Sequence, residues 1–392
     1  MNFAIVLNKT LAIRNANYFF SALKLILFAR RKKLEITLFT IEAHIFGHLM
    51  LEHAELVSRV SKSSSENKRY WSTFYGTPCN ELLVRMLRKD LLQRGVLVID
   101  NYEILRLVLR IDQFVANRFN RPRRVFQSKD VNLSHKRATE LSATITIPSV
   151  QRAEVDSFIS NGKLSISVMN RTSKYKKIGE EGRIYSHRNF EFEVFYPTIR
   201  RMKNDVIFFR LGTHNKDESR VLGEDLTNLI EFGQRLSIDP SLDLAIMSNV
   251  QGFFGADTGP AWLFLLRRIP VALVNEIPLY QPAPTDFLKL MVLPKLLWST
   301  EDKRLLSIGE MLDIDPPKMQ FTEDFRKAGL EVIDNTADEV AEFFEEWKSI
   351  VIDKAGLYDI EFMDWIRARY GVQNLASISM TFIHSRKKDL RV

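Results

Sequence analysis

Gly252-Phe253-Phe254-Gly255-Ala256-Asp257-Thr258-Gly259-Pro260-Ala261 reads as a strand, a turn of small residues and the first turn of a helix. Pro260 falls where a helix needs no amide partner, and Asp257 or Thr258 can serve as cap. The free amides of such a helix start, with the Thr258 hydroxyl and the Gly259 amide, make a site for an anion such as a diphosphate. Gly255 and Gly259 allow the backbone to approach a ligand closely. The same stretch is also compatible with an ordinary capped strand-to-helix turn.

Strands and helices alternate on both sides of this segment. Downstream, Pro270 to Val274 is a strand, and Ala337 to Val351 and Ile360 to Tyr370 are helices in a helical C-terminal third. Upstream, Leu164 to Met169 and Val206 to Leu211 are strands, and Ala153 to Ile159, Phe190 to Lys203 and Leu222 to Phe232 are helices. The first half repeats the pattern. Phe3 to Leu7, Ile36 to Thr40, Tyr70 to Tyr75 and Val96 to Ile99 are strands; Ile45 to Val60, Glu81 to Leu92 behind an Asn80 cap, and Tyr102 to Phe119 are helices. Such alternation predicts parallel sheets covered by helices. The basic, Pro-punctuated stretch Asn120 to Gln151 reads as a crossover between two α/β domains, residues 1–150 and 151–392. The predicted fold is two Rossmann-like domains facing a cleft, with a helical C-terminal segment.

A chain of 392 residues suits two domains. One cysteine, Cys79, excludes an internal disulfide and fits a reducing, cytoplasmic setting. The net charge of +8 points to phosphate-bearing ligands or an anionic surface. No spacing typical of a nucleic-acid module is present, so no nucleic-acid partner is expected. Phe19 to Phe28, followed by Arg30-Arg31-Lys32-Lys33, is too short to span a bilayer. It reads either as a helix lying on an anionic leaflet or as a core helix with cations at its C-terminus.

Other segments carry candidate chemistry. Arg188 and Asn189 precede a predicted helix; Arg188 suits phosphate and Asn189 a cap, while His187 can be a base or an inert loop histidine. Arg210 and Gly212 follow a strand and aim at the strand ends, where an arginine can equally be a surface residue. Glu42, His44 and His48 follow the strand Ile36 to Thr40. His44, His48 and Glu52 share i, i+4 spacing, which suits a metal pair; the glutamate that a zinc-protease helix places after its first histidine is missing, and no metal is expected.

Ser186 to Asn189 before a helix, Val206 to Gly212, Gly252 to Pro260, and Arg268 to Pro278 with Asn275 occur in a definite order. With Pro294-Lys295, Leu305 to Glu310, Gly47-His48-Leu49 and Asn80 to Leu83, they resemble a family of bacterial glycosyltransferases of the GT-B kind linked to surface-polysaccharide genes. The likeness runs from about Ile36 to Ile350. It implies metal-independent transfer from a nucleotide-sugar donor to a glycan or lipid-linked acceptor, with no separate cofactor. It also implies a cytoplasmic protein, with peripheral membrane contact as a further expectation. Arg171, Arg188, Asn189, Arg210, Gly212, Asp257, Thr258, Gly259 and Asn275 would bind donor; Glu42, His44 and His48 are the candidate bases. One departure is visible: Met169 stands where the family carries histidine ahead of the arginine. A nucleotide-sugar epimerase, or a non-catalytic nucleotide-binding relative, are the alternatives on the same scaffold.

Overall fold

A computed structural model of the protein describes residues 16–63, 65, 67–128, 135–142, 149–159, 162–172, 185–212, 226–233, 235–279, 290–314, 319, 321–372 and 375–390. The chain divides into two compact units, Met1–Asn132 and Leu133–Val392. The expected strand Phe3 to Leu7 lies outside the described residues.

The first unit runs α1 (Ala16–Arg31), β1 (Glu35–Glu42), α2 (Phe46–Ser61), β2 (Lys68–Tyr75), α3 (Glu81–Gln93), β3 (Leu97–Val98), α4 (Tyr102–Phe119) and β4 (Val125–Gln127). Its strands pair in the order β3-β2-β1-β4, all parallel. Asn80 and Asn101 cap α3 and α4, their side-chain oxygens accepting from Leu83 and Glu103 amides at 2.9 Å. Ala22, Ile26 and Ala29 of α1 pack with Leu105 and Val108 of α4 over Ile36, Leu38, Trp71 and Val125. The predicted crossover is thus partly sheet: Val125 to Gln127 forms the edge strand beside β1. Fully buried Asp112 of α4 holds that edge. Its carboxylate accepts from Arg30 at 2.6 Å and from the amides of Arg124 and Val125 at 2.9 and 3.0 Å. So short a strand leaves little periodicity to read.

The second unit opens with α5 (His135–Leu141) and α6 (Ala153–Ile159). It continues through β5 (Leu164–Met169), α7 (Tyr196–Arg201), β6 (Val206–Arg210), β7 (Leu229–Glu231), α8 (Pro240–Asn249), β8 (Gly252–Gly255), α9 (Gly259–Leu266), β9 (Val271–Glu276) and β10 (Leu290–Pro294). Then come β11 (Leu296–Ser299), β12 (Arg304–Leu305), α10 (Thr322–Lys327), β13 (Leu330–Ile333), α11 (Ala337–Trp347), α12 (Ile360–Arg369) and β14 (Ser377–Ile378). The main sheet has the order β14-β10-β9-β8-β5-β6-β7 and is parallel throughout. Every residue of β6, β8, β9 and β10 is buried, as strands covered on both faces must be. The chain lays down β5, β6 and β7 in one direction and then returns to place β8 on the other side of β5. This is the Rossmann strand order, and ligands bind such sheets beyond the strand carboxyl ends at this reversal.

Three expectations are corrected. Leu229 to Glu231, expected as helix, is an edge strand paired with Phe208 to Arg210, which its Leu-Ile pair suits; residues 222–225 lie outside the described residues. The helix expected from Phe190 is a 3-10 turn at Phe192–Phe195 followed by α7, where Pro197 favours a helix start. The C-terminal third is not wholly helical: β11 pairs antiparallel with β12 and β13, and β14 joins the main sheet. No helix among the described residues is long and apolar enough to cross a membrane.

Candidate functional site

Beyond the carboxyl ends of β5, β8 and β9 the second unit assembles a charged edge. Thr258 precedes α9 in extended conformation, and Gly259 opens the helix. The Thr258 hydroxyl makes no capping bond; it lies 3.6 Å from the Met169 sulfur at the end of β5. Met169 therefore fills the centre of this edge, where it also bounds Gly212 (φ +83°): a Cβ on Gly212 would stand 3.2 Å from the Met169 methyl. A histidine there would be polar; the methionine makes the centre of the edge apolar.

Arg188 reaches this turn from the 3-10 segment Ser186–Arg188. Its Nη2 donates to the Asp257 carbonyl at 3.0 Å and to the Asp257 carboxylate at 2.5 Å. The guanidinium is 24% exposed and Asp257 only 8%, so the cation keeps an open side. Arg171, two residues beyond β5, places its guanidinium over the Tyr185 ring at 5.6 Å. Its carbonyl accepts the Phe190 amide at 3.1 Å, which pins the Arg188 segment to the end of β5. Asn189 does not cap a helix. Its amide donates to Ser186 and its carbonyl accepts from Lys295 Nζ at 3.1 Å.

Two further charged residues, Lys295 and Glu276, which the sequence shows only as part of the family likeness, belong to this edge. Lys295 is 1% exposed and pairs with Asp334 at 2.5 Å. Burial lowers its pKa, and the Asp334 carboxylate works against that. Glu276 ends β9 and is buried. Burial, and then the Asp257 carboxylate, raise its pKa well above the usual carboxyl range, while Arg188, Arg171 and Lys295 oppose the rise. Arg188, Arg171 and Lys295 thus all act on Glu276, and Arg188 pairs with Asp257 as well. The signal for both residues was a charge set in an apolar strand run, Val271 to Glu276 and Leu290 to Leu297.

His187 is buried against Phe325, ring centroids 4.9 Å apart, with Nδ1 3.0 Å from the Thr322 hydroxyl of α10. Burial first, then Arg188, Lys295 and Arg171, push its pKa down to about 3. The ring is neutral at neutral pH and is a wall of the site rather than a base. A pKa below the unfolded value of about 6.5 means the unfolded chain binds the proton first. His187 therefore contributes stability above pH ~6.5 that is lost as pH falls toward the folded pKa of about 3. A His187→Asn protein should lose less of its melting temperature between pH 7 and pH 5, in a thermal series, than the parent does; an equal loss would remove the assignment.

Two candidates are already engaged. Arg210, 6% exposed, pairs with Glu231 at 2.8 Å and lies over the Phe192 ring at 3.8 Å. Asn275 (φ +54°) exchanges bonds with Asn335: its carboxamide oxygen accepts the Asn335 amide at 2.7 Å, and its amide donates to the Asn335 side chain at 3.2 Å. Asn335 also donates to the Pro294 carbonyl at 2.8 Å, where the β9–β10 register shifts. The edge thus brings together Arg171, Arg188, Asn189, Gly212, Asp257, Thr258 and Gly259, with Arg210 and Asn275 bound into its supporting frame.

In the first unit, Glu42 ends β1, His44 lies in the following turn and His48 in the first turn of α2. His44 is exposed beside Gly76 and edge-on to Tyr75, ring centroids 6.1 Å apart. It does not share the α2 face, because the helix begins at Phe46. Glu42 takes its place. His48 Nδ1 is 3.2 Å from the Glu42 carboxylate and 3.4 Å from that of Glu52, whose other oxygen accepts the Glu42 amide at 2.6 Å.

The fold and this edge define an α/β protein whose second unit has Rossmann order and a cationic strand end. No family model matches the sequence, and no curated protein matches it. Among solved structures, the E. coli heptosyltransferase WaaC with ADP aligns at 13% identity and TM-score 0.37, over 80% of this chain and 98% of that one. A family 9 glycosyl transferase from Veillonella parvula aligns at 11% identity and TM-score 0.46, over 81% and 98%. The UDP-GlcNAc 2-epimerase from Neisseria meningitidis bound to UDP-GlcNAc aligns at 9% identity and TM-score 0.36, over 86% and 94%.

Proposed function

We propose that the protein is a glycosyltransferase whose second unit holds the diphosphate of a nucleotide sugar. The observation that carries this reading is the meeting of Arg188 with the Asp257-Thr258-Gly259 start of α9, at the strand reversal of a parallel sheet. Arg188 and Arg171 neutralise phosphate charge, the Gly259 amide and Thr258 hydroxyl donate to it, and the positive end of α9 adds to the field. Fixed donors of this kind stabilise a departing diphosphate without reorganising. Asp257 keeps Arg188 in place until the anion arrives. Glu42, His44 and His48 are the candidate bases for an acceptor hydroxyl, on a glycan or lipid-linked molecule, if transfer inverts the sugar.

A thermal-shift panel of ADP, UDP, GDP, CMP and dTDP tests the reading, since a ligand of the folded state raises its melting temperature. One nucleotide should give a saturable rise. A panel with no rise at millimolar concentration would sink the donor site. Incubation with the matching nucleotide sugar alone separates the activities: an epimerase changes the sugar without an acceptor, a transferase does not.

Contact with an anionic membrane belongs to the same proposal. The outward side of α1 exposes Phe20 (58%), Leu27 (58%) and Phe28 (52%). Lys24, Arg31, Lys32 and Lys33 are exposed beside them, and α1 contains no acidic residue. Apolar rings flanked by cations suit an anionic leaflet. The protein should co-sediment with vesicles containing anionic lipid and not with purely zwitterionic ones, and a Phe20→Ser, Phe28→Ser protein should stay in the supernatant. Equal sedimentation of parent and variant would exclude α1 as the contact.

A further inference from the structure

We infer that Glu42, His48 and Glu52 form a binding site for one first-row transition dication, of the Zn2+ or Mn2+ type. Each of the three offers one ligand atom, and these atoms all lie within 4.8 Å of one another. The inference departs from the expectation of a metal-free enzyme. It rests on this cluster alone and not on the donor site.

Proton counting carries the argument. His48 Nδ1 faces two carboxylate oxygens, at 3.2 and 3.4 Å. An imidazole nitrogen has at most one hydrogen, so it can donate well to only one of them. The other carboxylate then faces the ring without a proton between them. A dication placed among the three atoms meets the Nδ1 lone pair and both anions together. The spacing fits as well: bonds of about 2.1 Å in tetrahedral geometry separate neighbouring ligand atoms by roughly 3.4 Å.

The surroundings suit a metal ligand set. The second oxygen of Glu52 accepts the Glu42 amide at 2.6 Å, the kind of outer bond that fixes ligating carboxylates. Two carboxylates supply the charge a dication needs, and the imidazole selects transition ions over Mg2+ or Ca2+. Glu52 is 12% exposed, whereas His48 and Glu42 are about a third exposed, at 35% and 36%. The ion would therefore sit at a rim with positions left open to water or a hydroxyl. With an ion in place Glu42 and His48 are ligands, and His44 is the remaining unliganded base.

The test uses the full chain, stripped with a chelator and titrated with Zn2+ against a chromophoric competitor. Co2+ replacement reads the ligand field by its visible bands. One ion per chain at micromolar affinity or tighter is expected, with His48→Gln and Glu42→Gln each removing a ligand and weakening it by at least the roughly tenfold to 100-fold that loss of an outer partner costs. Circular-dichroism melts check that both variants, at side chains about a third exposed, still fold. Absence of stoichiometric uptake by the parent, or uptake unaffected by both substitutions, would overturn the site. Nucleotide affinity is measured in parallel. Its loss in the parent would refute the donor reading and leave the metal result standing.

Discussion

Arg188→Ala should weaken binding of the nucleoside diphosphate that the parent takes by on the order of 100-fold. A charge-assisted bond to phosphate contributes about 1.5–3 kcal/mol, and each 1.4 kcal/mol is about tenfold in affinity. A second effect acts in the same direction. Removing the guanidinium takes from the Asp257 carboxylate, which is 8% exposed, the cation bonded to it at 2.5 Å, and so makes this turn more repulsive to incoming phosphates. Arg188→Lys should recover only part of the loss, because Nη2 alone makes both bonds to Asp257 and leaves the rest of the guanidinium to face phosphate, whereas a lysine has one nitrogen for both tasks. Calorimetric titration of parent, Ala and Lys proteins checks this. An alanine protein within threefold of the parent would show that Arg188 serves only to brace the Asp257 turn.

Gly255→Val should cost folding stability at or above the roughly 3 kcal/mol upper end of ordinary overpacking. A Cβ on Gly255 would stand 2.3 Å from the Met169 carbonyl oxygen and 2.9 Å from its amide nitrogen. Those are backbone atoms of β5, whose residue Met169 is the direct partner of Gly255 across the β5–β8 pair. No rotamer change relieves the contact, so the strands must part at the point where the Ala256 amide bonds to the same carbonyl at 2.8 Å. Because Met169 also touches Thr258 and bounds Gly212, nucleotide binding should fall along with stability. Urea unfolding with a nucleotide titration reads both. A midpoint close to that of the parent would mean that the sheet spreads here at little cost.

The local features were legible where one segment contains its own cause. Asn80 was readable as a cap because its side chain and the amide it bonds are three residues apart, and Asn101, not singled out in the sequence, obeys the same local rule. The α9 turn could be read because small residues and Pro260 are needed at fixed positions. His48 and Glu52 meet by helical spacing alone. Glu42 joins them only because β1 and α2 turn back on each other, and His44, equally spaced from His48 in sequence, falls outside the helix. Likewise Leu229 to Glu231 became strand by pairing with β6, a partner that lies nineteen or more residues away.

Taken alone, the amino-acid order determined the alternation of strand and helix, the place of the small-residue turn before α9 and the pool of cations near it. Those follow from short-range forces: backbone sterics, capping and apolar periodicity. Tertiary structure decided which cations are committed. Arg210 is bound to Glu231 and Phe192, and Lys295 is drawn beneath Asn189 by Asp334, whereas Arg188 keeps an open side next to Thr258. A charge's role depends on the counter-charge and the burial it meets, and distant parts of the chain supply both.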